Sequence, residues 1–523
     1  MAILDSPRVQ QLSQVVEEST RSTREGAKYF IEPALNTLAR AKSKRHHIIF
    51  GRRGSGKSSL LSKVAIDLTT SRIPNAYIDL EKFKGHSYPD VLISVLIEAV
   101  GEFKTWLETA AVEPGSKTSF WKRIIGAKPT RQRLDRNKTS ALANKLAQAQ
   151  IELQTILHSA DETKRQVTSR DEENLGLETK AETGIKTPVA SLGASATLEN
   201  KSMASLEIKD EYSSRKIEAL HRNILSYKNI FSEISQLSDG ASFLLLDDLY
   251  HIRPTDQANV LDYFHRIAKG SNLWIKVGTI RHRSQWYRFG TPPVGMKLGD
   301  DAESIDLDVT LEKYDLTKKF LFRILDQFAK QCGLKLEDIL TDGARDRLVL
   351  ASGGVARDFL SIFRRAIDVA LERTTRHDLA RGEKIGAEDV NRAAGEYDAF
   401  KREDFTRDTG NDREVLLHTF SAVSTFCVDR AKANCFLVDK DLHSEEVEQI
   451  SELVDLKFLH HVKSRVTVRD RPNRVFDAYM LDLSQYAGER ARRNFEIVEF
   501  WASEADDSLR KTKLIFAERR EQN

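Results

Sequence analysis

Five short apolar segments, each bounded by turn-forming residues, recur along the first part of the chain. They cover residues 47–50, 76–80, 242–246, 273–277 and 304–307. Segments with helical periodicity lie between most of them, and this alternation is typical of a parallel sheet flanked by helices. We therefore expect an α/β domain over residues 1–310.

The regular spacing breaks between the second and third predicted strands, which lie much farther apart than a crossover connection requires. We interpret residues 110–237 as an insertion. Two leucine stripes at helical spacing predict two long helices that pair as an antiparallel arm. Alternating small residues at 190–198 and 204–208 predict a small β-hairpin at its tip, and a partly disordered loop is the alternative.

Charge is uneven along the chain although its sum is small. The chain has 81 Lys and Arg residues against 78 Asp and Glu, a formal charge of +3, so net charge does not argue for a nucleic-acid partner. The most basic stretch, residues 116–150, lies in the insertion and has Phe120 and Trp121 alongside. Any contact with nucleic acid must therefore be local.

Two further regions follow the fifth predicted strand. Residues 311–405 have helical periodicity and predict a helical lid domain. A charged segment containing Gly410 marks a boundary, and residues 411–488 predict two helices and then two strands joined by a basic turn, which is the order of a winged helix. Residues 489–523 predict a charged amphipathic helix or tail.

Cysteine usage and hydropathy bear on the compartment. Cys332, Cys427 and Cys435 are too few and too scattered for a disulfide framework or a zinc site. The first 25 residues lack the apolar core of a secretory signal, and no apolar stretch is long enough to cross a bilayer. We expect a cytoplasmic protein without membrane contact.

A phosphate-binding motif lies between the first predicted strand and a helical segment. Gly51, Arg52, Arg53, Gly54, Ser55, Gly56, Lys57 and Ser58 satisfy the pattern G-x-x-x-x-G-K-[ST], and Ser59 follows. The glycines let backbone N–H groups face phosphate oxygens, Lys57 reaches the β and γ phosphates, and Ser58 ligates Mg²⁺. These residues predict a binding site for ATP and Mg²⁺.

Acidic and basic candidates follow later strands and open a lid helix. Asp247 and Asp248 end the third strand; the first is expected to hold Mg²⁺ through water and the second to activate the attacking water. Thr279 and Arg281 follow the fourth strand, where α/β sheets place ligand-facing groups, with a strand cap and a solvated arginine as the alternative. Arg357, in the first turn of a lid helix, is expected to contact phosphate or to form a salt bridge.

The order of these motifs resembles that of the AAA+ ATPases, most closely their origin-recognition and replication-initiator branch. In that family a P-loop, a Walker-B strand, a sensor-1 residue and a sensor-2 arginine in the lid motif G-x-x-R follow one another, which matches residues 51–58, 247–248, Thr279 and Gly354 to Arg357. The resemblance covers residues 27–483 apart from the insertion. It implies an ATPase that uses nucleotide state to control oligomerisation and DNA binding, with the Thr279 strand between those of the P-loop and the Walker-B acids.

Two departures from the family pattern bear on catalysis. The usual Asp-Glu is Asp-Asp here, and the usual sensor-1 Asn is Thr279 with Arg281 nearby, both of which are similar to the switch-like STAND ATPases. A shorter base lies farther from the water, so slow hydrolysis or a nucleotide-state switch is expected. Against the STAND comparison, the lid lacks their Gly-x-Pro motif and has Arg357.

The resemblance also implies that an arginine completes the site of a neighbouring subunit in a homo-oligomer. Arg281, Arg283 and Arg288 are the candidates, with Arg288 or Arg283 preferred, and a solvated loop of arginines is the alternative.

Two partner classes fit the sequence. The predicted wing turn carries Arg465, Arg469, Arg471 and Arg474, which could follow the backbone of double-stranded DNA. The alternative is a STAND-like signalling switch in which the inserted arm contacts a protein partner.

Overall fold

The computed structural model describes residues 3–20, 30–112, 134–178, 193–375, 382–408, 413–441, 445–486, 495–502 and 505–516 of the chain. Its strands, in chain order, are β1 (His47–Phe50), β2 (Asn75–Asp79), β3 (Ser242–Asp247), β4 (Leu273–Thr279), β5 (Tyr287–Arg288), β6 (Val294–Gly295), β7 (Glu303–Asp306), β8 (Cys435–Asp439), β9 (Leu459–Thr467) and β10 (Val475–Leu481). Five of them form a parallel sheet in the order β2-β3-β4-β1-β7. The predicted α/β fold is confirmed, and β4 lies between β1 and β3, as the resemblance implies.

The register of this sheet brings the carboxyl ends of its strands to one edge. Phe50 at the end of β1 pairs with Thr279 of β4 and with Asp306 of β7. Asp247 at the end of β3 pairs with Asp79 of β2. Loops that follow these strands therefore meet at the edge where parallel α/β sheets bind ligands.

Helices cover both faces of the sheet and form the remaining layers. They are α1 (Pro7–Ser19), α2 (Thr37–Ala41), α3 (Lys57–Thr70), α4 (Asp90–Val112), α5 (Arg136–Glu178), α6 (Gly193–Gln236), α7 (Pro254–Ala268), α8 (Tyr314–Gln331), α9 (Leu336–Ile339), α10 (Asp342–Ser352), α11 (Ala356–Thr375), α12 (Ala387–Asp408), α13 (Arg413–Thr425), α14 (Glu445–Asp455) and α15 (Ala505–Leu509). Leu60 and Val64 of α3 pack with Leu245 on one face of the sheet. Leu244 and Leu246, which alternate with it, pack with α4 and α7 on the other face.

The insertion contains two long helices, α5 and α6, whose bases pack against α4. Phe103 of α4 and Phe231 of α6 form an edge-to-face ring contact at 5.5 Å, and Leu146 and Leu153 of α5 are buried beside them. The predicted hairpin is wrong over residues 193–208, which are helical. Alternating Ala, Ser and Thr residues fit the period of a strand. The segment is helical instead, because Ala is the strongest helix former and the segment continues directly into the rest of α6. Residues 116–133 and 190–192 of those predictions lie outside the described residues.

The lid, by which we mean α8 to α12, shares one hydrophobic core with the C-terminal segment, residues 413–486. In that segment β8, β10 and β9 form an antiparallel sheet beside α13 and α14. Phe359 and Phe363 of the lid belong to the same buried cluster as Phe436 and Phe476 of this sheet, and α1 packs on it as well. Lid and C-terminal segment therefore form a continuous body, and Gly410 of the predicted boundary lies outside the described residues.

The described part of the C-terminal extension packs against this antiparallel sheet. The N–H of Phe516 donates to the carbonyl oxygen of Leu437 at 2.8 Å, and Val498 and Leu514 are buried. Of the predicted helix or tail, the described residues contain the short helix α15, a one-turn 3-10 helix (Thr512–Leu514) and packed irregular chain. Within the described ranges, no helix has the length and apolar character needed to cross a bilayer.

Candidate functional site

The loop between β1 and α3 turns through two glycines with left-handed backbone conformations. Gly54 has a φ of 92° and Gly56 a φ of 99°, values that a residue with a Cβ rarely adopts. The buried Lys57 ammonium donates hydrogen bonds to the carbonyl oxygens of Gly51 at 2.8 Å and Arg52 at 3.2 Å. Burial lowers the pKa of Lys57, and an anionic ligand beside it would favour the charged form again.

Two carboxylates lie beside this loop at the end of β3. Asp247 is 2% exposed; its Oδ2 accepts a hydrogen bond from the Tyr77 hydroxyl at 2.6 Å and its Oδ1 accepts one from the N–H of Asp248 at 3.0 Å. Burial and then the charge of Asp248 raise the pKa of Asp247 to about 7, although hydrogen bonds from Tyr77 and Ser58 oppose the shift. Burial also raises the pKa of Asp248. The pair therefore has an excess of negative charge that a cation would neutralise.

A cleft runs from this loop to the lid and contains most of the residues predicted to bind nucleotide. The predicted residues that line it are Arg53, Gly54, Ser55, Gly56, Lys57, Ser58, Ser59, Asp248 and Arg357. Its far end is apolar and is formed by Phe30, Ile31, Phe320, Ile324, Phe328 and Leu360. A cleft with cations and backbone N–H groups at one end and apolar rings at the other fits a phosphorylated nucleoside.

The lid touches the phosphate-binding loop directly at the start of α11. The N–H of Arg357 donates to the carbonyl oxygen of Gly54 at 3.3 Å. A Cβ added at Gly54 would lie 2.8 Å from the Cβ of Arg357, so only glycine permits this approach. Gly354 has a φ of 83°, and a Cβ there would lie 2.3 Å from the carbonyl oxygen of Val309. The Gly354 to Arg357 motif thus fixes how closely the lid packs on the loop.

Arg52 points away from the cleft. Its backbone N–H donates to Asp308 at 2.9 Å, its Nε lies 3.3 Å from the same carboxylate, and its Nη2 donates to the carbonyl oxygens of Val309 at 3.3 Å and Gly353 at 3.1 Å. The side chain is 4% exposed. In contrast to the expectation of a nucleotide contact, its guanidinium joins the loop to the base of the lid, because Asp308 offers a carboxylate on that side. Gly51 is also absent from the cleft lining and contributes its carbonyl oxygen to Lys57.

The two candidates that follow β4 do not line the cleft. The Thr279 hydroxyl is buried and hydrogen bonded to that of Ser284. The Arg281 guanidinium lies over the ring of Phe50, 3.9 Å from its centroid, and 3.6 Å from a carboxylate oxygen of Asp306. Each side chain has a partner outside the cleft, and the phosphate or water contacts of Thr279 and Arg281 stay predictions.

The other two arginines of this loop differ in exposure and in position. Arg288 is exposed on β5 and donates to the carbonyl oxygen of Thr255 at 3.4 Å and to Asn259 at 3.2 Å. Arg283 lies 5.6 Å from the ring centroid of Tyr250, on the cleft side. The short β5–β6 hairpin that carries Arg288 was not predicted, since two-residue strands have no periodicity to detect.

The cleft also contains residues that the sequence did not identify. Tyr250 and His251 lie in a one-turn helix just after Asp248, and Glu81 follows β2. The Lys57 ammonium lies 5.9 Å from the ring centroid of Tyr250. Their position directly behind predicted strand ends was the signal that could have found them.

The C-terminal segment contacts the lid immediately behind the cleft. The Lys457 ammonium donates to Asp358 at 3.1 Å, and Asp358, the neighbour of Arg357, is fully buried. A Cβ added at Gly353 would lie 2.0 Å from the ring of His460. His282, after β4, lies 3.8 Å from Asp455 at the end of α14. Residues beside the cleft, and not the cleft lining itself, are therefore in contact with the C-terminal segment.

The four predicted wing arginines are exposed on β9 and on the turn that joins it to β10. Arg474 pairs with Asp439 at 3.1 Å, and the N–H of Arg465 donates to Asp477 at 3.2 Å. The helix before this hairpin, α14, is acidic and contains no Lys or Arg; its acids are Glu445, Glu446, Glu448, Glu452 and Asp455. A phosphate backbone would therefore meet basic groups at the turn and acidic groups at the helix.

Comparisons with known proteins leave the family open. No family model matches the chain, and no curated protein matches it. One solved structure similar to it is that of the Aeropyrum pernix Orc1 protein in complex with DNA, which is 14% identical over 93% of this chain and 92% of the other, with a TM-score of 0.33. A likeness this distant carries no argument. The fold therefore rests on the strand order, and the site on the geometry described above.

Oxygen ligands at the cleft fit magnesium. Among the described residues no group of three or more His, Cys, Asp and Glu side chains could hold a metal by itself. Mg²⁺ does not need such a group, since it usually takes one or two carboxylates together with phosphate oxygens and water. The buried Ser55 hydroxyl, which has no hydrogen-bond partner, also remains available to a ligand in the loop.

Proposed function

We propose that the chain is an ATP-binding and ATP-hydrolysing protein of the AAA+ type that uses nucleotide state to control oligomerisation and DNA binding. The observation that supports this most is the convergence of three elements on one cleft. They are the phosphate-binding loop with Lys57, the acid Asp248, which directly follows the buried Asp247 at the end of β3, and Arg357 of the lid. Phosphate-binding, acidic and basic groups of this kind are those that a nucleotide with its cation requires.

Within this proposal each group has a role in phosphoryl transfer. The loop N–H groups, Lys57 and Arg357 bind the phosphates. Ser58 and, through water, Asp247 would hold Mg²⁺, which when bound neutralises charge on the β and γ phosphates. Asp248 orients the attacking water and accepts its proton while the bond from the γ-phosphorus to the bridging oxygen breaks. The apolar end of the cleft receives the adenine.

Slow turnover is part of the proposal. The side chain of Asp248 is one methylene shorter than the glutamate usual in the family, and the Thr279 hydroxyl is engaged by Ser284 rather than by the cleft. A misplacement of the base by about 1 Å can cost on the order of a hundredfold in rate. We therefore expect long-lived ATP-bound states that suit a control function.

For DNA binding, the exposed arginines of the turn before β10 support a contact with the phosphate backbone. Because the charged residues of α14 are all acidic, we do not expect this helix to contact base edges in the major groove. The proposal is thus a winged helix whose wing turn, and not its recognition helix, contacts duplex DNA without strong sequence preference.

A second candidate is a signalling switch that acts through a protein partner at the arm. The packing of the C-terminal segment on residues beside the cleft, through Lys457 with Asp358 and Asp455 with His282, favours it. A segment held in this way can report nucleotide state without DNA.

The deciding experiment is ATP turnover of the full chain with and without duplex DNA, with Lys57→Ala as the control variant. We expect ATP turnover that DNA increases and that the Lys57→Ala variant loses. Tight ATP binding with turnover indifferent to DNA would support the switch instead. If the wild type binds no ATP, the proposed function is wrong.

A further inference from the structure

Tyr77 and Asp247 form the shortest contact to either acid of the site. They lie on neighbouring parallel strands, where Tyr77 of β2 is opposite Leu245 of β3. Side chains of residues 245 and 247 point to the same face of the sheet, so the long tyrosine ring extends along that face toward the acid. Its hydroxyl reaches Oδ2 of Asp247 at 2.6 Å. The resemblance to AAA+ ATPases implies no role for Tyr77.

Helix α3 supports both members of this pair. Ser58 at the start of the helix opposes the rise that burial causes in the pKa of Asp247, and Ser62, one turn later on the same face, lies beside Tyr77 and opposes the rise that burial causes in the pKa of its hydroxyl. The two serines therefore lie along the Tyr77–Asp247 pair, between the start of α3 and the edge strand β2. Polar groups on this side restrict the rotation of the carboxylate further.

The other side of Asp247 is also confined. Its Oδ1 accepts from the N–H of Asp248 at 3.0 Å. A Cβ added at Gly278 of β4 would lie 2.7 Å from Oδ1 and 3.0 Å from a methyl group of Leu61, so glycine provides the space in which this carboxylate lies. Asp247 is thus held in one orientation by groups on β2, β3 and α3, with β4 leaving just enough room.

We propose that Tyr77 is a positioning residue for the Mg²⁺ that accompanies ATP, through its hydrogen bond to Oδ2 of Asp247. This inference rests on the proposed nucleotide site. Groups that hydrogen bond to a metal-binding carboxylate orient it, and their loss typically costs 10- to 100-fold in metal affinity. Tyr77 does not line the cleft, so we expect its effect to be confined to the Mg²⁺-dependent part of binding.

The test is the Tyr77→Phe variant of the full chain, which keeps the ring and removes the hydroxyl. ATP affinity is measured by titration calorimetry in the presence of Mg²⁺ and again in EDTA, and the ratio of the two affinities is the Mg²⁺ advantage. We expect the affinity in EDTA to be unchanged and the Mg²⁺ advantage to fall about tenfold or more. A purely structural role of Tyr77 would lower the melting temperature and leave this ratio alone.

Tyr314→Phe is the matched control. The Tyr314 hydroxyl also donates to a carboxylate at 2.6 Å, that of Asp346 in the lid, outside the cleft. It should keep the wild-type Mg²⁺ advantage. A wild-type ratio in Tyr77→Phe would overturn the inference and leave the proposed function standing. A wild type that binds no ATP, as Lys57→Ala is expected to behave, would overturn both.

Discussion

Asp247 and Asp482 are both buried carboxylates, yet their surroundings act on them in opposite directions. Asp247 has hydroxyl and N–H donors and a second acid, Asp248, beside it; burial and that acid raise its pKa to about 7. Asp482 is fully buried in the core shared by lid and C-terminal segment. Burial alone would raise its pKa as well, but the Lys401 ammonium at 2.6 Å and His460 at 2.8 Å hold it well below the usual range.

The difference separates a structural acid from a functional one. Asp482 has a cation on Oδ2, and the N–H and hydroxyl of Ser484 donate to Oδ1, so its charge is compensated within the fold. Among the described residues, no cationic side chain hydrogen bonds to Asp247, and a second carboxylate lies beside it. A fold tolerates that arrangement where a ligand supplies the missing charge. Acids with strongly raised pKa values are therefore concentrated at functional sites. Both acids are equally buried, so burial alone would not have separated them.

The largest effect is expected from Asp482→Asn. The change leaves the buried Lys401 ammonium without its counter-charge, which typically costs about 3–5 kcal/mol. We expect the free energy of unfolding, measured by urea denaturation, to fall by that amount. An unaltered unfolding free energy would show that the pair of Lys401 and Asp482 does not stabilise the fold.

The double variant Lys401→Met with Asp482→Asn sharpens this result. It removes both charges, so it should recover part of the stability lost in the single variant. A loss in the double variant equal to the sum of the two single losses would mean that the two residues do not act as a pair.

A smaller effect of opposite sign is expected from Asp247→Asn. The substitution removes a buried charge that Asp248 repels, so the unfolding free energy without nucleotide should rise by about 1 kcal/mol. The same variant should lose the Mg²⁺ advantage in ATP binding. A large destabilisation would instead mean that Asp247 is a structural acid like Asp482.

The sequence identified much of the cleft, because the residues on which it depends are local. Residues 51–58 and the end of β3 carry their chemistry in short motifs, and short apolar runs bounded by turn-forming residues make the five strands visible. The sequence also shows that residue 52 is a charged arginine, but it does not show the partner of this arginine. Asp308 lies 256 positions away, and it comes close to Arg52 only because β1 pairs with β7. Side-chain direction at such a position is a property of the assembled sheet.

Other errors have similarly physical causes. Residues 193–198 and 204–208, within the predicted hairpin, are helical instead. Small residues at every second position fit either period, and the helix of which they are part decides between the two. The shared core of lid and C-terminal segment could not be predicted, since helical periodicity shows that a face is buried but not against what. Tyr77 was missed for the same reason: it lies in an ordinary strand pattern and gains its partner from β3.

The smallest expected effect is on the pH dependence of the unfolding free energy. It distinguishes Asp247 from Asp482 without a ligand. Lys57, Asp248 and Tyr77 are the titratable neighbours of Asp247 when EDTA removes Mg²⁺. Lys401 and His460 are those of Asp482. A raised folded pKa penalises the folded state above about pH 7, and the penalty disappears as the pH falls toward the unfolded value near 3.9. The gain from Asp247→Asn should therefore shrink between pH 8 and 5.

A depressed folded pKa has the opposite consequence for Asp482. Its stabilisation is fully present above the unfolded value near 3.9 and is lost only as the pH falls below it. The loss caused by Asp482→Asn should thus change little between pH 8 and 5, where the gain from Asp247→Asn changes most. Urea denaturation of both variants and the wild type over this range measures the two differences. If they varied in parallel with pH, the two carboxylates would not differ in protonation, and the contrast between a paired structural acid and an unpaired functional one would fail.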